Sequence, residues 1–224
     1  MSGYDKEKIK QLINRFMFEI INVRSKFQLW KHIQKHRNEH LDELNIAPAF
    51  FTLTLHSVFN DVIITLAKLY EHGKQTANLN KLINIADANR ALFDYKEHAI
   101  DPLMITNKEI ENHKKIIEEK EESLNNLFMW RDKVYAHNDM KYFFDKEQLP
   151  KDAELTMQHI EELIEKAWEI VNFYSLALEG KAWHPDSPDT LDIEKVFSIL
   201  KNFKEEKNRE IDVFLMGAGL KRTQ

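Results

Sequence analysis

Ile105-Thr-Asn-Lys-Glu-Ile-Glu-Asn-His-Lys-Lys-Ile-Ile-Glu-Glu-Lys-Glu-Glu-Ser-Leu-Asn-Asn-Leu-Phe-Met-Trp-Arg131 reads as one long amphipathic helix whose start is marked. Thr106 stands at the N-cap position, Glu109 completes a reciprocal capping box three residues later, and Ile105 and Ile110 occupy the flanking staple positions. Ile110, Ile117 and Leu124 repeat every seven residues and keep one face apolar. The spacing predicts a helix running to about Ala136.

The same 3–4-residue apolar spacing recurs on both sides, and alternating runs bounded by turn dipeptides are missing, so the fold class is all-α. Toward the N-terminus a first helix is predicted over 5–43, with Ile9, Leu12, Ile13, Phe16, Ile20, Val23 and Phe27 as its buried stripe. A second begins after Pro48, carries Phe51, Leu55, Val58, Phe59, Val62, Leu66 and Leu69, and stops at Gly73. A shorter helix covers 78–95, and a break falls near Pro102.

Toward the C-terminus, 142–150 reads as a loop and 155–178 as a helix ended by Gly180, with Ile160, Leu163, Ile164, Ala167, Trp168, Ile170 and Val171 facing the core. Residues 183–190 form a Pro-rich linker. Ser187 with Pro188 opens a last helix over 191–207, followed by a flexible basic tail. The expected architecture is an antiparallel up-and-down helical bundle over 1–180 with a C-terminal helical appendage over 181–224. The appendage's Val196, Phe197, Ile199, Leu200 and Phe203 are too few to make a core alone, so it docks on the bundle or on a partner.

Composition agrees. The 224 residues are 43% hydrophobic with 14 Phe, 6 Tyr and 4 Trp, which is ample material for a packed interior. Gly and Pro number 5 each, well under the usual shares of about 7% and 5%, and so permit long helices. With no cysteine there is no disulfide framework, thiolate metal site or Cys nucleophile, and a cytoplasmic setting is the expectation. The N-terminal residues are charged and lack the apolar stretch of a signal peptide. Apolar windows are interrupted well before the roughly 18 residues of a membrane span, so none is expected. The net charge of −5 disfavours general nucleic-acid binding and leaves phosphate attraction to a local basic patch.

The seam Ile110, Ile117, Leu124 continues to Arg131, so an arginine falls on a core-facing line beside Leu127, Phe128 and Val134. A half-desolvated guanidinium needs either a carboxylate from another helix or an anionic ligand. His137 follows six residues later. At roughly 100° per residue six steps turn 600°, so the two side chains point about 120° apart on an unbroken helix. Either the helix loosens around 135–137, or the same segment of a second chain completes the site.

Arg131-Asp-Lys-Val-Tyr-Ala-His137 resembles the HEPN signature, an Arg, usually a polar residue next, and a His after four to six intervening positions, often as an Ala-His pair. Asn60-Asp61-Val-Ile-Ile-Thr-Leu-Ala-Lys-Leu-Tyr70 followed by Asn78-Leu-Asn-Lys-Leu82 is similar to the second helix and following segment of the HEPN subfamily of abortive-infection proteins of the U type. The resemblance spans about 5–180. It implies a HEPN-like bundle acting as a homodimeric, metal-independent endoribonuclease without cofactor, in phage defence or toxin-like growth control, restrained by a protein or nucleic-acid inhibitor.

The residue types suit that chemistry. Attack of a ribose 2′-OH on its own phosphate needs a near-neutral proton acceptor, His137, and a fixed cation for the phosphorane charge, Arg131. Two copies about a two-fold axis supply both base and acid. Asp132, at the polar position after the Arg, orients Arg131 or His137 or faces solvent. Asp61 interrupts an apolar helix and either pairs with Arg131 within the fold or aims it at substrate. The alternative function is a non-catalytic dimeric module that binds a nucleotide, RNA or protein at the Arg131 cleft.

His32, His36 and His40 repeat every fourth residue but sit among Lys31, Lys35 and Arg37, and are expected on an exposed polar face rather than at a metal. The run 113–122 reads as a solvated charged face. No Gly-rich phosphate loop and no Gly-x-Ser-x-Gly elbow occurs.

Overall fold

The computed structural model describes residues 3–73, 75–95, 103–136, 139–145, 147–184 and 192–218. No strand occurs among them. In order the helices are α1 (Lys6–Lys35), α2 (Leu41–Leu44), α3 (Pro48–Tyr70), α4 (Leu79–Ala88), a 3-10 turn (Arg90–Leu92), α5 (Asn107–Glu118), α6 (Glu121–Trp130), a π-helical segment (Arg131–Ala136), α7 (Met140–Phe144), α8 (Gln148–Asp152), α9 (Met157–Glu179) and α10 (Ile193–Gly217). The break at Pro102, the start at Ser187 and Pro188, and the residues from 219 lie outside the described residues; the last helix does not give way to a tail at 207 but continues to Gly217.

The Thr106 capping box forms as expected, with the Thr106 N–H donating to Glu109 Oε2 at 3.1 Å. Ile105 and Ile110 are both buried. The helix it opens does not run unbroken to 136. It pauses between Glu118 and Glu121, where Glu118 and Glu122 are like charges four apart, an arrangement that disfavours helix. There Lys120 Nζ turns to Glu162 Oε2 on α9 at 2.6 Å.

The first helix ends at Lys35, not 43: residues 36–40 form a turn in which the Glu39 N–H bonds the His36 carbonyl only three residues back. Residues 142–150 are not a plain loop. Asp139 caps α7 by accepting from Lys141 N, and Lys141 and Tyr142 both reach Asp152 at the end of α8. Helices of five residues carry too little periodicity to be read from sequence. Gly180 ends α9 in the left-handed region, φ +66°, as its position suggested.

The chain divides into two compact units, Met1–Phe27 with Phe59–Ser187, and Gln28–Val58 with Pro188–Gln224. In the first, Ile9, Ile13, Phe16, Met17 and Ile20 of α1 are buried, as are Val62, Ile63, Leu66 and Ala67 of α3. Helices α4, α5 and α9 pack pairwise. Ile160, Leu163, Ile164, Ala167, Ile170 and Val171 of α9 are buried as the periodicity predicts, Trp168 only in part, and the Tyr70 hydroxyl donates to the Leu163 carbonyl at 2.6 Å. His113 is buried too, its Nδ1 2.9 Å from the Tyr174 hydroxyl, so the 113–122 run is not wholly a solvated face.

In the second unit Phe197 of α10 closes a small core with Ile33, Leu44 and Phe51. Its ring stacks on His40 at 4.2 Å. His32 Nε2 and His40 Nε2 both approach the Glu194 carboxylate, at 2.5 and 3.3 Å, and Lys204 pairs with Asp42 at 2.7 Å. His32 and His40 are therefore not on an exposed polar face: α10 supplies the pair with a carboxylate and His40 with an aromatic ring, whereas His36 pairs with Glu39 in its own turn. Among the described helices only α3 has the length and apolar composition to cross a membrane, yet its C-terminal half carries the buried residues just named.

Candidate active site

Helix α6 brings Arg131 to a firmly built corner. Trp130 Nε1 donates to the Ala153 carbonyl at 2.8 Å, and Met129 and Trp130 pack on the cluster of Tyr142, Leu149 and Ala153. The Arg131 N–H reaches back to both the Leu127 and Phe128 carbonyls. From Arg131 the backbone turns π-helical, an i→i+5 pattern that occurs mostly as single turns inside α-helices and is frequent at functional sites. A loosening around 135–137 is one of the two alternatives that the helix geometry leaves open; the change of pitch begins at Arg131 itself.

The Arg131 guanidinium is held on three sides. Nε donates to Asp132 Oδ1 at 2.6 Å, Nη1 to Glu71 Oε1 at 3.4 Å, and the cation lies 5.1 Å from the Phe128 ring centroid. Its side chain is 21% exposed. The hydrogen bond to Asp132 leads in holding the guanidinium more firmly protonated than usual, with the charges of Asp132 and Glu71 acting the same way against partial burial. Asp132 thus meets Arg131 while its own side chain remains 48% exposed.

Glu71 was not legible as a site residue. It follows the last residue of α3, and the buried Tyr70 before it, anchored to Leu163, sets where it stands. Asp61 goes elsewhere: its Oδ2 accepts from Lys26 Nζ at 2.8 Å and from Thr65 Oγ1 at 3.4 Å. Arg131 takes its carboxylates from Asp132 and Glu71 instead. His137 lies outside the described residues.

Within the π-helical segment, Lys133 Nζ pairs with Asp139 Oδ2 at 2.9 Å, and the Asp139 N–H donates to the Lys133 carbonyl at 3.1 Å. The Lys133 ammonium lowers the Asp139 carboxyl below its ordinary range, helped by the Lys141 N–H. Among the described residues no three His, Asp or Glu side chains gather so as to hold a metal ion.

What this arrangement offers is a rigid, permanently charged fork at a helix end, aimed by two carboxylates and backed by an aromatic face. Such a fork matches phosphate oxygens. A family model described as HEPN_AbiU2, AbiU2, matches residues 6–197, most of the chain. No curated protein and no solved structure matches it.

Proposed function

The chain belongs to the AbiU2 family of the HEPN superfamily, and from that premise we propose that it is a metal-independent endoribonuclease acting as a homodimer in abortive infection or toxin-like growth control. The observation that carries this reading is Arg131, half-buried and fixed by Asp132 and Glu71 at the head of the segment that ends in His137.

In the proposed reaction His137 accepts the proton of a ribose 2′-OH as that oxygen bonds to the adjacent phosphorus. Arg131 carries the negative charge that grows on the phosphoryl oxygens. The bond to the 5′ oxygen breaks, and His137 of the partner subunit returns a proton to it. The products are a 2′,3′-cyclic phosphate and a 5′-hydroxyl. Two histidines are needed because one cannot be base and acid in the same step.

Purified protein is expected to cut RNA in excess chelator and to leave cyclic-phosphate ends. His137→Ala and Arg131→Ala each reduce the rate by roughly 10²–10⁴-fold with the melting temperature unchanged. RNA left intact by concentrated protein in chelator sinks the reading.

One observation favours a second reading, an RNA-binding module that does not cut. Arg131 already has two carboxylates beside it in a chain of net charge −5, so a bound phosphate must compete with them. RNA binding that survives His137→Ala and fails with Arg131→Ala, without cleavage by the parent protein, selects this alternative.

A further inference from the structure

A cavity of about 530 Å³ lies along α4 in the same unit as Arg131. Tyr4, His72, Asn80, Lys81, Asn84 and Asn89 supply its polar lining, and Ile85 and Ala88 its apolar wall. None of the described residues lining it is acidic, although acids outnumber bases in the chain. Its volume falls in the range of small-ligand sites, roughly 300–1,000 Å³.

Two contacts tie the cavity to the site already described. His72 meets the Phe128 ring edge-on at 6.5 Å, and Arg131 lies over that same ring. Glu71, next to His72 in the chain, accepts from Arg131. Within the cavity Asn80 Nδ2 stands 3.4 Å from His72 Nδ1, and Asn84 is exposed on the next turn of α4.

The lining has the chemistry of a nucleobase site. A carboxamide offers a donor and an acceptor side by side, the pattern that a base edge presents in return. Tyr4 and His72 are flat rings on which an unstacked base can lie, and Lys81 is a cation for the strand's backbone. Asn78 also borders the space, but its side chain caps α4 and is spent on backbone groups.

We propose that this cavity holds one unstacked base of a single RNA strand whose neighbouring phosphate sits at Arg131. The inference rests on RNA being the ligand of the Arg131 site, and it goes beyond that by placing base selectivity in Asn80 and Asn84.

The test uses four homopolymeric 2′-fluoro RNA hexamers, which lack the attacking hydroxyl, titrated into the full chain by fluorescence anisotropy. One base is expected to bind best. Asn80→Ala and Asn84→Ala each weaken that hexamer by roughly five- to hundredfold and bring the four toward equal affinity. Lys81→Ala weakens all four alike and reduces the slope of log affinity against log salt by about 0.7. Both asparagine variants leaving all four affinities unchanged, or a mononucleotide binding as tightly as its hexamer, overturns the proposal. An Asn-dependent preference in a protein that never cuts natural RNA supports the base site while sinking the nuclease reading. Cleavage with no effect of either asparagine does the reverse.

Discussion

Arg131 has its charge balanced before any substrate arrives, so the carboxylates that balance it decide where it points. Glu71, 60 residues away in sequence, reaches it at 3.4 Å and is a positioning residue in the proposed reaction. Glu71→Gln is expected to lower kcat by roughly tenfold with KM little changed, the lower end of the roughly 10–100-fold effects carried by residues that orient metal ligands, whose positioning role it shares. If the pair is only structural, the same variant lowers the melting temperature and spares kcat. His113 makes a different prediction. Burial lowers its pKa from the ordinary 6.5. As pH falls through about 6.5 the unfolded chain takes up a proton that folded His113 refuses, so stability is full above that point and declines toward the folded value. Urea midpoints measured between about pH 7.5 and pH 5 should therefore fall more steeply for the parent protein than for His113→Gln.

At the scale of elements, the helix ends separate what local sequence can specify from what it cannot. The Thr106 capping box and the Gly180 stop are each written within one turn of chain, and both form where expected. Gly180 is required twice over. Its φ of +66° is strained for any other residue, and a Cβ there would lie 2.0 Å from Tyr95 Cε1. Gly180→Ala is expected to cost about 1–2 kcal/mol from the backbone strain alone. That corresponds to a drop in Tm of about 2–8 °C by calorimetry, more if the Tyr95 ring cannot move aside. The corner at α7 and α8 shows the opposite case. Asp152, lowered to about 2 chiefly by the hydrogen bond from Lys141, collects Lys141, Tyr142 and Gln148. Gln148 lies one helical turn from Asp152, but the Lys141 and Tyr142 partnerships cross from α7 to α8 and follow no period within one helix that a reader of the sequence can count.

For the molecule as a whole, the second unit shows how a segment too small for its own core is stabilised. The C-terminal helix carries one fully buried ring, Phe197, and that ring completes a cluster begun by Ile33, Leu44 and Phe51. Phe197→Ala removes the plug and is expected to cost roughly 3–5 kcal/mol. Amide exchange should quicken across 28–58 and 193–217 while the α9 amides keep their protection, because α9 packs in a separate core. Uniform loss of protection along the chain would contradict the division into two units. The sequence by itself determined the helical class, the capped starts and stops, the α9 core face and the family segment from Arg131 onward. Each of these is encoded between residues one or two turns apart. Only the tertiary structure decided that Arg131 meets Glu71, that Asp61 goes to Lys26, that His113 is buried against Tyr174, and that His32 and His40 share Glu194. Those partners sit 35 to 162 residues apart. Which side chains meet over such separations is set by how helices rotate and pack against one another, and no spacing within a single helix encodes it.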